Sequence, residues 1–400
     1  MKDAQQLIIL GNGFDLASGL KSTYGQFIEY VMKESGISVD EIKQKIASFD
    51  IESLSDIKDS YIEQEDFFKL NIWIWLFINS DLSEASNWQS VEEQIYEYLD
   101  NDLIELASNP KGLHDVSITK EKYKKATLIV NCFIKCKEIE IERTPNSIAK
   151  FLMEQLNHLE ASFEQFLFEN AGYTVGNDGT GLFDYFEPAR TLLTKIVEKD
   201  SITEESAYNV MSFNYTDPWD ERWGRNGGLK DGFLVPNKSL SVHGQALARL
   251  DDEVNRIIFG IDNQDLKISE YNYKYIFTKT FRTLVNYSDT KTSQNATENN
   301  IFDKGIKVIK FFGHSLGEAD YSYFQQMFDY YDLYNNDELR LYFYFKKYDD
   351  RDIIDYLNEQ SAMVIRLLEK YGETMSNKDH GKNLVTRLEM TKRLYIKEIK

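Results

Sequence analysis

The chain opens on four consecutive apolar residues, Leu7-Ile8-Ile9-Leu10, which run straight into Gly11-Asn12-Gly13. A short run without polar alternation predicts a strand buried on both faces, the environment of a parallel sheet. Thr23 to Lys33 then predicts a helix carrying Tyr24, Phe27, Ile28 and Val31 on its apolar side. From about residue 37 to 205 strand signals nearly vanish. Apolar positions recur there at helical spacing, in Val91, Ile95, Tyr98 and Leu99 and again in Ile148, Leu152, Leu156, Leu159, Phe163, Phe166 and Leu167. The second set, between Pro145-Asn146-Ser147 and Asn170-Ala171-Gly172, predicts one long amphipathic helix. His158 falls among its apolar positions and reads as an interface histidine. The most apolar window, Ile72 to Ile78, is far shorter than the roughly 20 residues a membrane span needs and predicts a core helix.

Strand signals resume at Tyr208 to Phe213, Leu240 to Val242, Arg256 to Phe259, Lys307 to Phe312 and Leu339 to Phe345. A helix follows the last, rich in Ile353, Ile354, Leu357, Met363, Ile365, Leu367 and Leu368. Asp217-Pro218 predicts a cap and first turn of a helix after the second strand. Strands alternating with helices imply an α/β fold with a Rossmann-like parallel sheet. Residues 1–36 and 206–400 would form that domain, with a large helical insertion over 37–205.

Composition narrows the function classes. Forty-two per cent hydrophobic content, with 25 Tyr and 25 Phe, makes the chain globular, and five prolines in 400 residues leave no room for Pro-rich linkers. A net charge of −20 argues against non-specific nucleic-acid binding, which needs Lys and Arg to displace counterions. Cys132 and Cys136 are the only thiols; their C-x-x-x-C spacing suits neither a zinc ribbon nor a thioredoxin motif, and no metal is expected. They read as two buried thiols one helical turn apart. The polar run 111–125 reads as a solvated loop and helix start, with His114 exposed. The start of the chain carries no signal-peptide pattern, so a cytoplasmic protein with no membrane segment is expected.

In an open parallel sheet, ligands bind beyond the carboxyl ends of the strands. Four expected strands end there in polar or glycine-bearing residues: Gly11-Asn12-Gly13-Phe14-Asp15, Phe213-Asn214-Tyr215, Val242-His243-Gly244 and Gly313-His314-Ser315-Leu316-Gly317. The dinucleotide fingerprint is incomplete, because its third glycine would fall at Leu16. The four ends together nevertheless predict a nucleotide pocket, in which Gly11 and Gly13 admit a pyrophosphate. Asn214 and His243 would face one ribose, the amide holding a hydroxyl or a water and the imidazole taking a proton. Asp15 would meet a ribose hydroxyl, and Ser315 a ribose or a phosphate. His314 would contact the ligand or cap its strand, and Asp320 reads equally as a helix cap or a ligand contact.

The blocks LIILGNGFDLASGL, SFNYTDPWD, VHG, IIFGID and FFGHSLGEADYSYF, in this order, resemble the AbiH family of bacteriophage abortive-infection proteins. They also resemble a divergent sirtuin-type NAD site. The pattern G-A-G-[IF]-S-x-x-S-G-[IL]-P aligns with residues 11–21, T-Q-N-[IY]-D with 212–216, H-G with 243–244 and G-T-S-L with 313–316. This second resemblance implies NAD as substrate, catalytic roles for Asn214 and His243, and NAD contacts from Gly11, Asn12, Gly13, Phe14, Asp15, Gly313, His314, Ser315 and Asp320. Asp15 stands where the pattern has serine, and Thr216 where it has aspartate. The zinc cysteines of protein-deacylating sirtuins are missing, which favours plain hydrolysis of NAD to nicotinamide and ADP-ribose. A module that binds NAD or ADP-ribose without turnover is the competing expectation. Phage trigger and any homo-oligomer stay open.

Overall fold

The computed structural model describes residues 4–49, 69–80, 88–109, 121–137, 140–170, 185–201, 207–219, 233, 235–246, 257–262, 273–288 and 300–400. Six strands are present: β1 (Gln6–Leu10), β2 (Tyr208–Ser212), β3 (Lys238–Ser241), β4 (Val308–Phe312), β5 (Arg340–Phe345) and β6 (Leu394–Glu398). The described helices are α1 (Gly13–Ala17), α2 (Tyr24–Ser35), α3 (Val39–Ala47), α4 (Ile72–Asn79), α5 (Trp88–Asp100), α6 (Leu103–Ser108) and α7 (Glu121–Cys136). They continue with α8 (Pro145–Asn170), α9 (Phe186–Glu198), α10 (Lys279–Ser288), α11 (Tyr321–Tyr330), α12 (Ile353–Thr374), α13 (Lys378–Lys382) and α14 (Leu384–Met390). Two compact units result, one of residues 1–22, 167–252 and 287–400, the other of 23–166 and 253–286.

All six strands pair in parallel in the order β3-β2-β1-β4-β5-β6. This is the 3-2-1-4-5-6 order of doubly wound dinucleotide folds, so the α/β Rossmann-like reading holds. β1, β2 and β4 are buried along their whole length, which explains their contiguous apolar runs. Alternation sorts their side chains. Leu7, Ile9, Met211, Ile309, Phe311, Leu341 and Phe343 share one core with Phe324 and Phe328 of α11, Leu367 and Leu368 of α12, and Leu384 of α14. Phe311 and Phe343 stack there at 4.4 Å.

On the other face the centre of β4 carries a fully buried lysine, Lys310. Its Nζ donates to the carbonyls of Ile196 (2.9 Å), Val197 (2.8 Å) and Lys199 (2.5 Å) at the carboxyl end of α9. Those carbonyls have no partner within the helix, and the negative end of its dipole suits a cation. Burial pushes the Lys310 ammonium down to about 7.

In the helical unit, α4 is buried on every side, as its IWIWLFI run predicts. Asn71 caps it and also donates to the Gln155 carbonyl (2.6 Å), while Trp73 Nε1 donates to the Leu152 carbonyl (2.9 Å). Phe27 packs on Phe163 and Phe166 of α8. Buried Glu160 is bridged by Arg282 and accepts the Phe259 N–H at 2.7 Å.

Several expectations are corrected. Ile257 to Ile261 is buried but is no strand of the sheet: it lies in the helical unit, pinned by Glu160, and Ile261 forms only an isolated bridge with Thr278. Its apolar run reported burial correctly and could not report which core. His158 is exposed on α8. Cys132 is buried, whereas Cys136 is only half-buried. The edge strand β6 was not expected, since its residues are all half-buried and give no apolar run. His114, Arg256 and any helix continuing beyond Trp219 lie outside the described residues. Among the described residues no helix is long and apolar enough to cross a membrane.

Candidate active site

The strand order reverses between β1 and β4, and the loops leaving these two strands touch. Gly11 N–H donates to the Phe312 carbonyl (3.0 Å) and Gly13 N–H to the Gly313 carbonyl (2.8 Å). A Cβ on Gly11 would stand 2.5 Å from the His314 Cα, and one on Gly13 2.7 Å from the Gly313 Cα. Gly313 itself has φ +71°. The three glycines are therefore explained by backbone meeting backbone at the crossing. The Phe14 N–H is taken by the Gly11 carbonyl (2.8 Å), so the amides of Gly13 and Phe14 are engaged within the protein. Asn12 also turns inward: its Oδ1 accepts from Ser22 Oγ (2.6 Å) and closes the loop ahead of α2. Phe14 is buried edge-on against Phe312.

Asp15, in the first turn of α1, is 2% exposed and gathers three donors. Tyr185 Oη donates to Oδ1 (2.5 Å), Asn214 Nδ2 to Oδ1 (3.2 Å), and Thr216 Oγ1 lies 2.8 Å from each carboxylate oxygen. Burial outweighs these hydrogen bonds and raises the carboxyl to about 7. Its carboxylate is thus committed to protein groups. Tyr185, the residue preceding α9, has no sequence signal: it lies 170 positions from Asp15.

A second carboxylate organises the other side. Asp320, just before α11, meets both histidines: His243 Nε2 at 2.9 Å from Oδ1 and His314 Nε2 at 3.3 Å from Oδ2. His314 Nδ1 accepts the Leu316 N–H (2.8 Å), so its proton sits on Nε2 and is donated to Asp320. Leu316 takes φ +55° to make that turn. Phe213 packs edge-on against both imidazoles, at 4.4 Å from His314 and 5.5 Å from His243. Ser315 is exposed at the rim.

The structure thus brings His243, His314 and Asp320 into one group, and Asp15 and Asn214 into another with Tyr185 and Thr216. It does not join Asn214 to His243. Phe213 turns toward the histidines and the α11 core, and the next residue, Asn214, turns the other way to Asp15. Asp217 accepts from Ser241 Oγ (3.0 and 2.9 Å) and ties the β2 end to β3; the helix it was expected to cap lies outside the described residues. Among the described residues no three His, Cys, Asp or Glu side chains are grouped so as to hold a metal ion.

A Rossmann-like parallel sheet whose carboxyl edge carries an imidazole–carboxylate cluster and a buried Asp–Asn pair defines a doubly wound α/β protein with a polar site at its switch point. The family model described as bacteriophage abortive infection AbiH matches residues 7–342, and the chain belongs to the AbiH family. No curated protein and no solved structure matches the chain.

Proposed function

We propose that this abortive-infection protein hydrolyses NAD to nicotinamide and ADP-ribose through a sirtuin-like site. The carrying observation is the His243–Asp320 pair, 2.9 Å long, beyond the carboxyl edge of a sheet in dinucleotide-fold order. With Nε2–H held by the carboxylate, the other ring nitrogen, Nδ1, is the basic one. Water attacks C1′ of the nicotinamide ribose, the C1′–N bond breaks, and nicotinamide departs neutral with the bonding pair. The proton released from water passes to His243 Nδ1, and Asp320 stabilises the imidazolium. His314 fixes Asp320 from the opposite oxygen. Asn214 contributes as an acceptor for a hydroxyl of the nucleotide, on the Asp15 side of Phe213. Positioning and electrostatics carry the rest of the barrier. The missing zinc cysteines support hydrolysis over protein deacylation.

The test is incubation of the purified protein with NAD and chromatography of the products. Stoichiometric nicotinamide and ADP-ribose, lost in His243→Ala at unchanged thermal stability, is the expected result. NAD binding without products would make this a nucleotide sensor, and neither binding nor turnover would overturn the reading altogether.

A further inference from the structure

We propose that Asp15 is a positioning residue: it turns the Asn214 carboxamide so that the amide oxygen, and not the nitrogen, is offered to a hydroxyl of the bound nucleotide. The proposal rests on the nucleotide reading above and replaces the direct ligand contact expected for Asp15. Three observations carry it. Asn214 is 2% exposed, and its Nδ2 donates to Asp15 Oδ1. Its Oδ1, directed away from that carboxyl, is buried and has no hydrogen-bond partner among the described residues. The Asp15 oxygens are held in turn by Tyr185 and Thr216, so the carboxyl cannot rotate to release the amide.

A buried acceptor left unmade costs about 1–3 kcal/mol, and native structures retain few of them. A neutral hydroxyl donor, such as a ribose offers, completes this one. The geometry holds in both protonation states of Asp15. Ionised, both oxygens accept. Neutral, the proton sits on Oδ2 and goes to Thr216 Oγ1, Thr216 donates to Tyr185 across 3.0 Å, and Tyr185 donates to Oδ1. Oδ1 remains the acceptor for Asn214 throughout, so the amide oxygen always faces away from Asp15.

The test removes the acceptor at 15 and then restores it without the charge. In Asp15→Leu nothing at 15 obliges Asn214 to present its nitrogen, and kcat/KM for NAD should fall about tenfold or more. In Asp15→Asn the new amide oxygen takes the place of Oδ1 and accepts from Tyr185 and Asn214, while its nitrogen donates to Thr216 Oγ1 as the neutral acid does, so turnover should stay near wild type. In Asn214→Asp two carboxyls meet, and activity should be lost. Atomic-resolution or neutron diffraction of ligand-free Asp15→Leu should show the Asn214 amide reversed or in two orientations.

Unchanged kcat/KM in a folded Asp15→Leu, a well-folded Asp15→Asn that loses activity, or an unaltered Asn214 amide in the Asp15→Leu crystals would each overturn the proposal. If the wild-type protein neither binds nor cleaves NAD, the NAD reading falls, and the diffraction result alone decides the positioning role.

Discussion

Thr216 Oγ1 lies 2.8 Å from both carboxylate oxygens of Asp15, across 201 positions of sequence. Both are among the positions at which the chain departs from the sirtuin-type pattern its sequence resembles, with a carboxylate in place of a hydroxyl at 15 and a hydroxyl in place of a carboxylate at 216. The departures face each other, and the pair as a whole still holds one carboxyl and one hydroxyl. A hydrogen bond between them works from either side, so what reads in the sequence as two losses is one exchange.

Asp15 should leave a pH signature in stability. Its carboxyl is raised to about 7 in the folded protein against 3.8 in the unfolded chain. Between those values the folded state holds a proton the unfolded state has lost, so stability falls as pH rises. The slope reaches up to about 1.4 kcal/mol per pH unit. Below the window both states are protonated, and above it both are ionised. The stability of wild type minus that of Asp15→Asn, from denaturant melts at pH 4 to 8, should therefore decline through the window and flatten above 7. A flat difference would show that the folded carboxyl is not raised.

Gly13→Ala should damage the fold and not merely narrow a ligand entrance. The new methyl meets the Gly313 backbone at 2.7 Å, and neither loop can yield without breaking the Gly13–Gly313 hydrogen bond. A loss of about 2 kcal/mol or more is expected from thermal melts. An unchanged Tm with weakened NAD binding would instead identify Gly13 as a ligand contact.

Lys310→Met keeps length and apolar bulk in β4 and strips three carbonyls of their donor. We expect about 2 kcal/mol or more of destabilisation. Hydrogen exchange should show fraying at the carboxyl end of α9. Stability equal to wild type would mean water or another donor replaces the amine.

Asp320→Asn should abolish the base while preserving shape. His314 cannot change tautomer, because its Nδ1 is held by the Leu316 N–H, so the amide oxygen goes to His314 and the amide nitrogen faces His243. His243 must then accept at Nε2 and carry its proton on Nδ1, the atom that should take the proton from water. A fall in kcat of about 10²-fold or more is expected in steady-state assays, with KM little changed. Wild-type kcat in this variant would remove His243 from the chemistry.

Much of the architecture was legible in the chain. β1, β4 and β5 announced themselves because a strand covered on both faces leaves a contiguous apolar run, and α4 and α8 because helical burial leaves its own period. The glycine and polar residues after β1, β2, β3 and β4 pointed to the carboxyl edge as the site, and all of these strands joined one sheet. Local pattern reports that a residue is buried, however, and not against what. Ile257 to Ile261 is as apolar as a sheet strand and belongs to the other core, while β6 escaped notice because an edge strand is only half covered. The same limit applied within the site. That Asp15 would bind Thr216 and Tyr185 in place of a ligand, that His243 and His314 would share Asp320, and that Phe213 would send Asn214 and His243 to different partners depended on contacts 6 to 201 positions apart. Strand order and face alternation decide those contacts, and both are properties of the assembled sheet.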